Sequence, residues 1–138
     1  MIAYLDSSVL LRVVLSQPRR LNEWKRITRG VASALVEVEC LRTLDRVRIA
    51  ERISDETMGP RREAVYRLIE SMEIVEPSRP ILARAAQPMP AALGTLAAIH
   101  LATVLLWRER TGADLVLATH DANFGLAARA SGVRVMGA

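Results

Sequence analysis

Cysteine is almost absent from this 138-residue chain, and the lone Cys40 excludes an intramolecular disulfide and any thiolate metal cluster. A small buried apolar role suits it better than a nucleophilic one. Lysine is equally scarce, with none after Lys25. That removes receiver domains, which need a late lysine beside their strand-end carboxylates. Aromatic residues number only five, Tyr4, Trp24, Tyr66, Trp107 and Phe124, so base stacking has little to build on. Glycine-rich nucleotide loops are missing. No apolar run reaches the ~18 residues of a membrane span, and Ile99–Trp107 is interrupted by His100 and Thr103. The first residues carry no basic n-region and meet Asp6 at once, which reads against a secretory signal. These features predict a cytoplasmic protein with no membrane partner.

About half the residues are apolar, enough for one well-buried core, and the length suits one domain over 1–138. The net charge of +4 is carried almost wholly by arginine. Guanidinium forks match phosphate oxygens, so the charge is compatible with RNA, although an ordinary solvated surface explains it as well.

Short apolar runs alternate with helical patterns. Ile2–Leu5 reads as a strand entering a helix over Val9–Leu15, and Arg19–Arg29 as a charged amphipathic helix. Val31-Ala32 reads as a second strand, with Ser33 capping a helix to about Ile49. Ser54–Met72 is helical with a weak point at Gly59-Pro60. Ile74-Val75 gives a third strand, Pro77 and Pro80 bracket the start of another helix, and Pro88 and Pro90 mark a loop. Thr95–Arg110 is apolar on nearly every face and so a buried helix. Leu115–Ala118, Asp121–Ala130 and Val133–Met136 complete the pattern as strand, helix and strand. The expected fold is α/β, a parallel sheet of about five short strands flanked by helices, with chemistry beyond the carboxyl ends of the strands.

Three carboxylates stand out by position. Asp6 follows the first strand and Asp121 the fourth. Glu39 lies early in the helix after the second strand, on a polar stripe with Arg42, Thr43 and Arg46, while Glu37 falls between apolar positions. Carboxylates gathered at a sheet end repel unless a cation compensates them, and an oxygen-only set favours Mg²⁺ or Mn²⁺ over zinc. Phosphodiester hydrolysis is the reaction such a site serves best. Helix capping explains Asp6 and Asp121 separately just as well, and most helical glutamates are merely solvated. His100 shares a face with Thr103 and Trp107 and reads as packing, and His120 as structural.

Ordered motifs tilt this balance. IAYLDSSVL (Ile2–Leu10), SALVEVECLR (Ser33–Arg42), LGTLAAIHLAT (Leu93–Thr103) and LATHDANF (Leu117–Phe124) resemble the four motifs of PIN-domain proteins, in order and over nearly the whole chain. In the second, a serine precedes the family's glutamate by six positions, which selects Glu39 over Glu37. The wording most resembles VapC toxins of bacterial toxin–antitoxin pairs. The resemblance implies a Mg²⁺-dependent endoribonuclease acting on tRNA or rRNA, with Asp6, Glu39 and Asp121 as catalytic carboxylates and Asp6 and Asp121 on the metal. It also implies a VapB-type antitoxin partner and a homodimer. Arg42 and Arg46, beside Glu39, suit contacts to substrate phosphates.

One position departs. The third motif usually reads LGTLDAIHLAT, and this chain has Ala97 at the aspartate. A methyl group neither ligates metal nor orients water, so hydrolysis should be impaired. Two other readings stay open: a catalytically inactive module that binds RNA or antitoxin, and an RNA-processing PIN nuclease without an antitoxin. A haloacid-dehalogenase-like phosphatase drops out, because Ser8 stands where its second aspartate would be.

Overall fold

The computed structural model describes residues 1–138. Five strands, β1 (Ile2–Leu5), β2 (Arg29–Ser33), β3 (Glu73–Val75), β4 (Leu115–Ala118) and β5 (Arg134–Met136), form one sheet in the order β3-β2-β1-β4-β5. Every pairing is parallel, and Leu5 sits opposite Ala118 in the central β1–β4 ladder. Six helices connect and cover it: α1 (Ser7–Val14), α2 (Leu35–Glu51), α3 (Asp55–Glu70), α4 (Arg79–Ala85), α5 (Thr95–Thr111) and α6 (Ala122–Ala130).

Strand polarity explains the two-sided core. Ala3, Leu5 and Ala32 face one apolar cluster with Leu10, Cys40, Leu44, Met58 and Val65 from α1–α3. Tyr4, Val31, Leu115 and Leu117 face the other, with Leu101, Val104, Trp107, Phe124 and Ala127 from α5 and α6. A parallel sheet covered on both faces needs such continuous apolar strands rather than alternating ones. Leu44 is fully buried, so truncation to alanine should cost about 2–5 kcal/mol.

Three local readings need adjustment. Arg19–Arg29 is not a helix; it holds turns and a single 3₁₀ turn at Trp24–Arg26. Leu21, Trp24 and Ile27, three residues apart, all pack on the core, and a tight turn of three residues satisfies that spacing without an α-helix. The Gly59-Pro60 weak point does not break α3. Gly59 has no Cβ to clash with the proline ring, and Pro60 faces solvent. Ser33 closes β2 rather than capping α2. Its hydroxyl accepts from the Leu35 N–H at 3.2 Å while Ala34 holds the cap position. Ser54, by contrast, caps α3 by accepting from the Thr57 N–H.

Topology fixes where a ligand fits. The chain moves outward from β1 through β2 to β3, then crosses back to place β4 on the other side of β1. The connections reverse between β1 and β4, and at such a reversal parallel sheets bind ligands in the crevice beyond the carboxyl ends of the strands. Asp6 and Asp121 follow those two strands. Asp6 adjoins β1 directly, and Asp121 comes two residues after Thr119, the first residue past β4.

Candidate acidic site at the switch between β1 and β4

Asp6 occupies the N-cap position of α1 yet makes no capping hydrogen bond. Its carboxylate is buried, with 7% of the residue exposed, and Oδ2 accepts from two hydroxyls, Ser8 at 2.6 Å and Thr119 at 2.7 Å. The capping explanation therefore fails for Asp6. For Asp121 it holds: Oδ1 accepts from the Phe124 N–H at 3.1 Å and caps α6, while the residue is exposed. Thr119 ties the two together. Its fully buried hydroxyl donates to Asp6 and accepts the Asp121 N–H at 3.0 Å. Ser8 adds a second tie, accepting the His120 N–H at 3.0 Å. A pair of hydroxyls thus stitches the end of β1 to the turn after β4.

Glu39 leaves the solvated stripe that its spacing suggests. Its Oε1 lies 2.5 Å from His100 Nε2, and only 19% of the side chain is exposed. His100 is buried in α5, with Nδ1 2.6 Å from the Tyr4 hydroxyl and its ring edge-on to Tyr4. The packing role expected of His100 is present, and a polar one accompanies it. Arg42 and Arg46 stay on the stripe, exposed, with Arg42 paired to Asp45 and Arg46 bonded to the Thr43 hydroxyl. Ala97, half-buried, stands one turn before His100 in α5.

The electrostatics place Asp6 and Glu39 around one buried region. Burial pushes the Tyr4 hydroxyl far above its ordinary range, and the charges of Asp6 and Glu39 push it further. Cys40 rises to about 12 for the same reasons, burial first and then Glu39 and Asp6. So Cys40 is an inert core thiol.

The three carboxylates do not gather round a single ion: no group of three or more His, Cys, Asp or Glu side chains could hold one. Glu39 is turned to His100, and position 97 has no carboxylate to offer. Asp6 and Asp121 do suit a hard cation. Both offer oxygen only, they follow adjacent strands, and Asp6 Oδ1 and Asp121 Oδ2 have no protein donor. Mg²⁺ keeps most of its waters and commonly takes one or two carboxylates, so two oxygen-only residues match its chemistry.

Tyr4, Ser8, His100 and Thr119 were not singled out from sequence as parts of the site. Their signal was nonetheless there: Tyr4 and His100 are polar groups set in the apolar runs Ile2–Leu5 and Leu96–Leu106, and Ser8 and Thr119 each stand two residues from a strand-end aspartate. His120 is different. Its Nδ1 lies 3.0 Å from the Gly137 carbonyl, and its Nε2 is buried without a partner.

Comparison with known proteins agrees with this architecture. The model of the PIN-domain family matches residues 3–130. No curated protein matches the chain in sequence. Among solved structures, VapBC2 from Rickettsia felis bound to a DNA fragment from its promoter superimposes with a TM-score of 0.68 at 10% identity, covering 98% of this chain and 97% of that one. PAE2754 from Pyrobaculum aerophilum gives 0.66 at 16% identity, covering 98% and 83%. A toxin–antitoxin complex from Klebsiella pneumoniae gives 0.59 at 20% identity, covering 88% and 89%. At these identities the likeness is one of fold. No helix of the chain is long and apolar enough to cross a membrane.

Proposed function

The chain belongs to the PIN-domain family, and on that premise we propose that it is a VapC-type endoribonuclease toxin whose activity is reduced by Ala97. PIN domains are generally nucleases that use divalent metals. The observation that carries the reading is the Asp6–Thr119–Asp121 linkage, because Asp6 spends its buried carboxylate on this linkage and not on a helix cap. Asp6 and Asp121 would hold Mg²⁺ or Mn²⁺, which supplies charge neutralisation at a phosphate and a more acidic water when bound. The chain's own residues do the rest. Ser8 and Thr119 fix Asp6, Glu39 stands ready to take a proton, and Arg42 and Arg46 suit backbone phosphates of tRNA or rRNA. The bound structural neighbours support a VapB-type antitoxin as partner, one that covers the acidic crevice with an arginine or apolar anchor. A homodimer acting in the cytoplasm completes the reading.

A second reading rests on Ala97 itself: an inactive module that retains RNA or antitoxin binding. RNA cleavage in Mg²⁺ by this chain and by its Ala97→Asp variant separates the two, read by sequencing of the cut ends. Sharply increased cleavage in the variant supports the toxin nuclease. Binding of the adjacent operon product with no cleavage by either protein supports the inactive module. Cleavage without any such binding favours an RNA-processing nuclease.

A further inference from the structure

His100 lies outside the four carboxylate positions, yet both of its ring nitrogens are engaged in a buried chain. The links run from Tyr4 to Nδ1 at 2.6 Å and from Nε2 to Glu39 Oε1 at 2.5 Å. The three residues come from three different elements, β1, α5 and α2. A carboxylate only accepts hydrogen bonds, so Nε2 carries the proton and donates to Glu39. In the neutral ring the remaining nitrogen is the acceptor for the Tyr4 hydroxyl. Glu39 is left with Oε2 as its one oxygen lacking a protein donor.

We propose that His100 is the positioning residue for Glu39, with Tyr4 fixing its tautomer so that Glu39 presents a single carboxylate oxygen to the crevice. This deepens the nuclease reading and rests on it. Three features support the role. The imidazole is almost fully buried, so its orientation is set by packing against Tyr4 and Phe124 and not by solvent. Helix α5 also carries position 97, one turn earlier, so the element that brings His100 to Glu39 is the one that would bring the missing acid. Glu39 has no other protein donor, so without His100 it would return to the solvated stripe of α2.

The test uses the full-length chain in the Ala97→Asp background with His100→Gln, His100→Leu and Tyr4→Phe. Glutamine keeps a donor near the place of Nε2, and leucine keeps only bulk. The first readout is NMR: ring ¹⁵N shifts of His100 and the side-chain carboxyl ¹³C shift of Glu39. The expected results are the Nε2–H tautomer in the parent, its loss or mixing in Tyr4→Phe, and a Glu39 shift restored by Gln and lost with Leu. The second readout is cleavage, expected to fall about 10- to 100-fold in His100→Leu and to be rescued to within about threefold by His100→Gln. An Nδ1–H tautomer in the parent, or identical Glu39 shifts in the Gln and Leu variants, overturns the positioning role. If Ala97→Asp cleaves no RNA, the nuclease reading falls, and the NMR result alone still decides whether His100 positions Glu39.

Discussion

Replacing Thr119 with valine removes a hydroxyl and leaves the shape of a fully buried side chain nearly unchanged. Two bonds go with it: the donation to Asp6 Oδ2 at 2.7 Å and the acceptance of the Asp121 N–H at 3.0 Å. A hydrogen bond to a buried charge contributes about 1.5–3 kcal/mol. A stranded N–H costs about 1–3 kcal/mol, and the low end applies because Asp121 is exposed and water can reach its turn. No cavity forms, so the expected destabilisation is roughly 2.5–4 kcal/mol, all of it polar. Thr119→Ser keeps the hydroxyl, loses one methyl and should cost only about 0.5–1.5 kcal/mol. Urea unfolding in EDTA measures both, with unchanged slope as the check that only the native state was altered. The loss in Thr119→Val should shrink by about 1–2 kcal/mol when Asp6 is already Asn, since the pair is directly coupled. A valine variant within ~0.5 kcal/mol of the serine variant would refute the idea that this hydroxyl fastens Asp6 to the β4 turn.

Cys40, held at about 12 against its ordinary 9.0, should resist iodoacetamide at pH 8 in the folded protein and react promptly in urea. Its contribution to stability is complete below about pH 9 and is lost as pH rises toward 12, because the unfolded thiol ionises first; alkaline melting curves should show that direction. Gly137 has φ +93° and a Cβ there would stand 2.5 Å from the Thr119 carbonyl oxygen, so Gly137→Ala should destabilise by about 1–3 kcal/mol and shift the His120 ring resonances. Unchanged thermal melting and an unmoved His120 signal would contradict that contact.

The fold was largely legible because its strands are short, carry apolar residues at their centres and are bounded by polar turns, as a doubly covered parallel sheet requires. The Arg19–Arg29 helix misled because spacing of three between Leu21, Trp24 and Ile27 fits an α-helix and a tight turn alike. Asp6 and Asp121 were legible as strand-end carboxylates, but a helix cap and a metal ligand have the same spacing. The structure divides them: Asp121 caps and Asp6 does not. Glu39 was legible only through its motif, since helical periodicity assigns it to solvent. What turns it inward is a long-range bond to His100, 61 residues away, which no local pattern encodes. Tyr4 and Thr119 were illegible for the same reason, as their partners lie 96 and 113 residues off.

Titration with Mn²⁺, followed by calorimetry and by the melting temperature, bears most directly on the reading of Asp6, Asp121 and position 97 as one cation site. It compares this chain, its Ala97→Asp variant and that variant with Asp6→Asn added. Ala97→Asp should melt slightly lower in EDTA, because an added carboxylate meets Asp6 and Asp121 without compensation. It should then bind Mn²⁺ on the order of 100-fold more tightly than this chain and regain stability in proportion. Adding Asp6→Asn should abolish the gain. Equal affinity with and without the carboxylate at position 97, or binding that survives the loss of Asp6, would contradict the assignment.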